Sequence, residues 1–525
     1  MRKMKKFLNV AISTIMVASI LTGCGGKKDN VTNQTQTPGS TNSSANGEQG
    51  GQKKELDLTK KPVLKVLLPY TGIDPQTDFT AVYLEEATGY KVEYYMLPSE
   101  DSISKLNTII ASKEEYDIMV LNKNDFDNTV DTGAYQPLND LLDQYAPNVR
   151  EKTSEGLWTN VTIGGEVKGI PEGLANENYG LVYRVRLDFL KKAGIDKMPE
   201  TTDEFYNACK AMKDQFGIIP ITASYAVIPE IASAFGMYTK FNVVDNQVLY
   251  QALVPGAKDY VEFMRKLFEE GLLDNEYAQN SGDMMKEKFF SNKAAMYQTA
   301  WWNEPTASNT IMEKAPEAEL AYLQALKSTD GTAGLPMGRG VNRVTVIPKV
   351  SKNKEYALDY INTKLSDDIF KMASMGEENV HYKVAGDSYE PILPKFFDDK
   401  NNAHYFMMGS DTKAYSKYWE STRVKKDPIL YAEFSSIQET AAKATLYYDP
   451  TSYMQPNKEY AKLIGKVNQL CEDGFKQFIT GTRPMSDWDN FIKELNDAGL
   501  ESINNIVNEW WAVEGPSLAD KMIKK

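Results

Sequence analysis

The stretch Pro62–Gly72, PVLKVLLPYTG, is a short apolar run that stops at a proline and a glycine-containing loop. A strand with one wet face alternates apolar and polar residues. A near-continuous Val/Leu run instead marks a strand covered on both faces, as in a parallel sheet. Outward from it, DFTAVYLEEATG (78–89) predicts a helix closing on Gly89, a natural left-handed cap. KVEYYML (91–97) predicts a second strand, Ser102–Ala111 a helix, and EYDIMVLN (115–122) a third strand. Strand–helix–strand–helix–strand is the pattern of an open α/β sheet. Ligands of such sheets bind beyond the carboxyl ends of the strands, which puts Tyr70 and the Asn122–Asp127 loop near a candidate site.

Upstream, MRKMKKFLNVAISTIMVASILTGC (1–24) has a basic start, an apolar run too short to span a bilayer, and small residues at its end, so residues 1–23 read as a secretory signal peptide. Residues 25–61 contain no aromatic and almost no aliphatic side chain and cannot bury enough surface to fold. They predict a tether with a reach of about 35 Å. The formal charge is −13, and removing the four basic side chains of the signal peptide makes it −17. Nucleic acid is excluded as a partner, because binding it begins with a basic footprint. The folded remainder is too long for one core and predicts two or more domains.

Downstream, YGLVYRVRLDFLKKAGIDKMPETTDEFYNACKAMKD (179–214) predicts a strand, a helix ended by Gly194, and a second helix capped by Thr202. Helices recur over 255–274 and 281–292, GVNRVTVIPK (340–349) predicts a strand returning to the first sheet, and the C-terminal third is helical. Cys209 and Cys471 lie on apolar helical faces and read as small buried hydrophobes, with a disulfide between them open in an extracytoplasmic compartment. KFFSNKAAMYQTAWWNEP (288–305) runs a strand, Lys293–Gln298, toward adjacent tryptophans. Successive strand residues point to opposite faces, so Trp301 and Trp302 cannot share one core. Either both are buried under a loop, or one ring meets something outside the core.

LTGC (21–24) resembles a bacterial lipobox, whose cysteine is diacylated and becomes the new N-terminus. Two acyl chains would anchor Cys24 stably to the cell membrane. Together with YDIMVLNKNDFDNTVDTGAYQPLNDLLDQYAPN (116–148), GLVYRVRLDFLKKAGIDKMPETTDEFYNACKAMK (180–213), FFSNKAAMYQTAWWNEP (289–305), MGEENVHYK (375–383) and WDNFIKELNDAGL (488–500), it makes the chain resemble a lipid-anchored solute-binding protein of an ABC importer, of the group serving oligosaccharides. The resemblance implies an α/β, two-lobed periplasmic-binding-protein-like fold (type II). Hinge strands join the lobes, ligand sits in the cleft, and closure presents a surface to the permease. Crossings are expected near Asn178–Val182 and Asn342–Ile347, giving lobe 1 as 62–178 plus 345–400 and lobe 2 as 179–344 plus 401–525. A monomer is expected, on the extracytoplasmic face of the membrane.

Counting from Met296, the family's sugar-stacking tryptophan matches Trp302, although Thr299-Ala300-Trp301 stands where Gly-Pro is usual, which leaves Trp301 as the alternative. Tyr225 in SYAVIPEIASAFG (224–236) and Glu177, before the hinge strand, match other ligand-facing positions. A pyranose has an apolar C–H face for an aromatic ring and a rim of hydroxyls for in-plane polar groups. Tyr70, Tyr179, Tyr225, Trp301 and Trp302 supply candidates for the first role; Asn122, Glu177, Asn303 and Arg343 supply the second. Arg343 alternatively pairs with a structural carboxylate. Many relatives carry an insertion resembling a calcium loop after the helix matching 202–214. Here Lys213–Gly217 leads straight into IIPIT with too few oxygen ligands, so no metal and no other cofactor are expected. The rival reading is a secreted, membrane-anchored polysaccharide hydrolase using a carboxylate pair. No H-E-x-x-H, G-x-S-x-G, C-x-x-C or phosphate loop is present, and His381 reads as a loop residue.

Overall fold

A computed structural model describes residues 55–173, 179–338, 341–407, 412–518 and 523–524. The expected signal peptide, Cys24, most of the tether and Glu177 lie outside the described residues. The folded body begins before Pro62: Leu56 packs on the core, and the Lys61 ammonium donates to the Thr88 carbonyl (2.7 Å).

Leu64–Leu68 lies between Val92–Met96 and Ile118–Asn122, all parallel. The sheet continues through Val341–Val346, antiparallel to Ile118–Asn122, to Ile170–Gly173 at the far edge. The helix between the first two strands is Phe79–Thr88, capped by the Asp78 carboxylate and closed by Gly89 at φ 69°. In the second sheet, Leu181–Arg186 is flanked by antiparallel Leu320–Tyr322 and Ala294–Ala300, and Ile219–Thr222 pairs parallel to the latter. Each sheet is covered by helices and has its own buried aliphatic set, Val66, Ile118 and Val344 in one, Val185, Ile221 and Met296 in the other.

The chain passes between the sheets three times. The first sheet's strand ends at Gly173 and the second sheet's begins at Leu181, and the expected crossing from Asn178 starts outside the described residues. The second is earlier than the expected Asn342–Ile347, because Val341–Val346 is already fully paired in the first sheet. It runs instead through Gly334–Met337, which pairs in parallel with Thr445–Tyr448, a pairing that sequence reasoning did not anticipate. This small sheet, completed by Ile523–Lys524, carries the stacked rings of Tyr238 and Tyr447, 4.1 Å apart. A Cβ at position 334 would stand 2.3 Å from the Tyr238 ring, so only glycine fits beneath the stack. Helix Thr412–Arg423 packs on Asp367–Met375 and Ser388–Pro391, whereas Pro428–Ala441 packs on Glu304–Lys314 and Leu320–Tyr322.

Several local expectations shift in register. The helix Thr202–Phe216 is capped by Thr201, whose hydroxyl accepts from the Glu204 amide (3.3 Å); in a Thr-Thr pair either residue offers the same cap chemistry. It ends at Gly217, one residue before the Ile219–Thr222 strand. Beside that strand, buried Asp274 accepts from Lys288 Nζ (2.6 Å), Asn280 and Thr222, and Glu276 and Asn280 oxygens complete a cage around the ammonium. Cys209 and Cys471 are both free and fully buried, and burial pushes the Cys471 thiol up to about 12. Among the described residues no helix is long and apolar enough to cross a membrane.

Candidate functional site

At the carboxyl edge of the first sheet, Asn122, Arg343 and Glu172 are cross-strand neighbours on three adjacent strands. Directly opposed residues share a face, so this register alone gathers the three side chains. Tyr70 follows the Leu64–Leu68 strand at the same edge and is 57% exposed. From the other side come Trp301 and Trp302. The strand extends beyond the expected Gln298 to Ala300 and turns at once into a single 3₁₀ turn, Trp301–Asn303. Three residues per turn swing consecutive side chains about 120° apart. Trp301 therefore goes inward, edge-on to Trp302, Trp419 and Phe434, and is 4% exposed, while Trp302 is left 53% exposed.

These groups line one open cleft of about 780 Å³. Its third wall, absent from sequence reasoning, is the segment 397–430: His404, Tyr405, Tyr415, Trp419, Arg423 and Lys426 among others. A signal was present in NNAHYF and YSKYWESTRVKK, two runs dense in aromatic and basic residues, but nothing local says that their helices fold back beside the Trp pair.

Of the predicted site residues, Tyr70, Asn122, Trp301, Trp302 and Arg343 line the cleft. Asn303 is exposed but outside the lining, and Tyr225 is exposed elsewhere on the second lobe. Tyr179 is buried: its hydroxyl donates to Glu230 (2.8 Å), and the Gln438 amide brackets its backbone, accepting from its N–H and donating to its carbonyl. A buried phenol held in this way cannot stack on a ligand. His381 is buried in the loop, bonded to the Glu377 amide and Asp399.

The electrostatics are unequal around the cleft. Arg343 takes its structural partner, donating through Nε to Glu172 Oε1 (2.9 Å) and through Nη2 to the His404 carbonyl (3.2 Å). Burial raises the Glu172 carboxyl, opposed by Arg343. His404 is held well below the usual imidazole range by burial and by Arg423, Lys426 and Arg343, and so stays neutral. Lys426 is drawn down to about 8, by burial and then by Arg423. Neutral and charged in-plane groups beside exposed aromatic faces suit a polyhydroxylated ring. Among the described residues no cluster of three His, Cys, Asp or Glu is arranged to hold a metal ion.

The sequence profile of the family described as "Bacterial extracellular solute-binding protein" matches residues 73–368. The chain belongs to that family. Among its relatives are lipoprotein LipO of Bacillus subtilis (strain 168), 24% identical over 97% of this chain and 98% of its own, and the polygalacturonan/rhamnogalacturonan-binding protein YtcQ of the same organism, 24% identical over 65% and 72%. The fructooligosaccharide ABC transporter substrate-binding protein FusA of Streptococcus pneumoniae serotype 4 is 25% identical over 69% of each chain. Solved structures of alginate-binding protein AlgQ2 and of FusA with kestose share the fold, each at TM-score 0.64 and 18% identity over 86–87% of this chain and 98–100% of theirs. The solute-binding fold is thus the two-lobed α/β fold the sequence predicted.

Proposed function

We propose that this chain captures an oligosaccharide in the cleft between its lobes and delivers it to the permease of an ABC importer, without altering it chemically. The observation that carries this reading is the meeting of Trp302 and Tyr70, both more than half exposed, with the Asn122–Arg343–Glu172 row across one opening. Carbohydrate-binding transporter components among the relatives support it. We draw the lobes as 62–178 plus 341–423 and 179–337 plus 424–525, moving the expected boundary at 344 so that Val341–Val346 stays whole in its sheet, and the one at 400 so that helix Thr412–Arg423 stays with Asp367–Met375 and Ser388–Pro391, on which it packs. Closure is then a two-state hinge motion favoured by contacts made only when both walls touch the sugar. The lipobox-like LTGC supports diacylation at Cys24, with a monomer held at the extracytoplasmic face of the membrane. Titrating the purified body with oligosaccharides should change tryptophan fluorescence saturably, and the sugar should be recovered intact. Turnover would establish the hydrolase reading instead.

A further inference from the structure

The cleft concentrates positive charge on a strongly acidic chain. Arg343 is matched by Glu172, and Asp427 is committed elsewhere: its Oδ1 accepts from the Ile429 and Leu430 amides (2.8 and 2.9 Å), capping the helix Pro428–Ala441. That leaves Arg423 and Lys426, which line the same wall at the corner between helices Thr412–Arg423 and Pro428–Ala441. Neither has a salt-bridge partner among the described residues. Among the described residues Lys426 donates to the carbonyl (3.2 Å) and side-chain oxygen of Asn401, and the Arg423 guanidinium lies 6.0 Å over the Trp301 ring. The other charged groups of the lining are Arg343, Glu172 and Asp427, and neutral His404, on the same wall, has a buried Nδ1 without a hydrogen-bond partner among the described residues.

Two neighbouring like charges, partly withdrawn from water, are unfavourable in the empty protein. Against Arg343, Arg423 and Lys426 the lining sets two carboxylates, Glu172 and Asp427, so one positive charge is left over. An arrangement of this kind is neutralised by an anion brought in from outside, and guanidinium beside ammonium, next to an aromatic floor, is a receptor for a charged ring substituent. We propose that the ligand is a negatively charged oligosaccharide whose anionic group, a uronate carboxylate or a sulfate ester, is held by Arg423 and Lys426 while a neighbouring ring stacks on Trp302.

This inference rests on the capture reading above, and the experiment separates the two. The purified body is screened on a glycan array carrying neutral, uronate and sulfated oligosaccharides. The strongest acidic binder is then titrated by calorimetry beside its carboxyl-reduced or desulfated counterpart. The expected result is that acidic glycans lead, the uronate and sulfate arms telling which anion is held, and that removing the charge weakens binding at least ten-fold. Affinity should also fall steeply with added salt. Arg423→Gln and Lys426→Met should each collapse the acidic-to-neutral preference by ten-fold or more. Melting temperature should hold or rise in Lys426→Met, since a repelled cation is removed. Neutral glycans leading the array, or variants that lower acidic and neutral affinities in equal proportion, would overturn the inference and leave oligosaccharide capture standing. Retention of no glycan at all would overturn the capture reading itself.

Discussion

Replacing each of the adjacent tryptophans by alanine should produce opposite phenotypes. Trp301 is almost fully buried, with ring centroids of Trp302, Trp419 and Phe434 at 5.4, 5.8 and 5.5 Å. Truncating a buried Trp costs about 3–5 kcal/mol, of which edge-on aromatic contacts supply roughly 0.5–1.5 each. Trp302 keeps one such contact and has half its surface in water, so Trp302→Ala should cost about 1 kcal/mol. Its effect should fall on the ligand. A stacked ring contributing about 1–2 kcal/mol corresponds to a loss of affinity of roughly ten-fold or more. Urea unfolding of the free protein gives the first quantity and calorimetry of the folded variants the second. Trp302→Ala destabilising the fold more than Trp301→Ala, or binding sugar as tightly as wild type, would refute the division of roles between core and cleft.

Three further outcomes are expected. Burial lifts the Glu230 carboxyl to about 7 despite bonds from its own amide, the Tyr179 hydroxyl and the Tyr183 amide. The folded protein thus holds a proton that the unfolded chain releases near 4.5; this stabilisation is full below about pH 4.5, falls as pH rises, and is gone above about 7, a span of roughly 3 kcal/mol. Glu230→Gln should flatten that slope and be the more stable protein above pH 7; an unchanged slope in chemical unfolding across pH would count against it. Because Lys288 fills the cage of Asp274, Glu276 and Asn280, chelators should leave melting temperature and sugar binding unchanged, whereas Lys288→Met should destabilise by about 3–5 kcal/mol by stranding a buried carboxylate. Cys24→Ala should abolish incorporation of labelled fatty acid and partitioning into detergent; equal labelling of mutant and wild type would refute the anchor.

How far the sequence reaches depends on which forces set each feature. The strands 64–68, 92–96 and 118–122 were legible because burial on both faces writes a continuous apolar run, and their order implies the edge that carries Tyr70 and Asn122. Arg343 was legible as a candidate, and the structure places it in the cleft lining while paired with the structural carboxylate of Glu172. Tyr179 misled because a tyrosine beside a hinge looks the same from sequence whether its hydroxyl meets a ligand or a buried carboxylate. The tryptophan pair was undecidable until the strand end was fixed, since a turn beginning at Trp301 and one beginning two residues earlier send different rings inward. Arg423 and Lys426 were invisible for a deeper reason. Periodicity tells which helical face is buried, but not which remaining face is turned toward a cleft built by residues a hundred positions away.

More than half of the described lining comes from 397–430, a segment whose described residues contribute no strand to either sheet. The frame that opens and closes and the surface that chooses the guest are therefore written in largely separate parts of the gene. Substitutions in that one segment can retune the guest while the sheets and the Gly334–Met337 strand are inherited unchanged. Two chains matching along most of their length therefore need not feed on the same sugar.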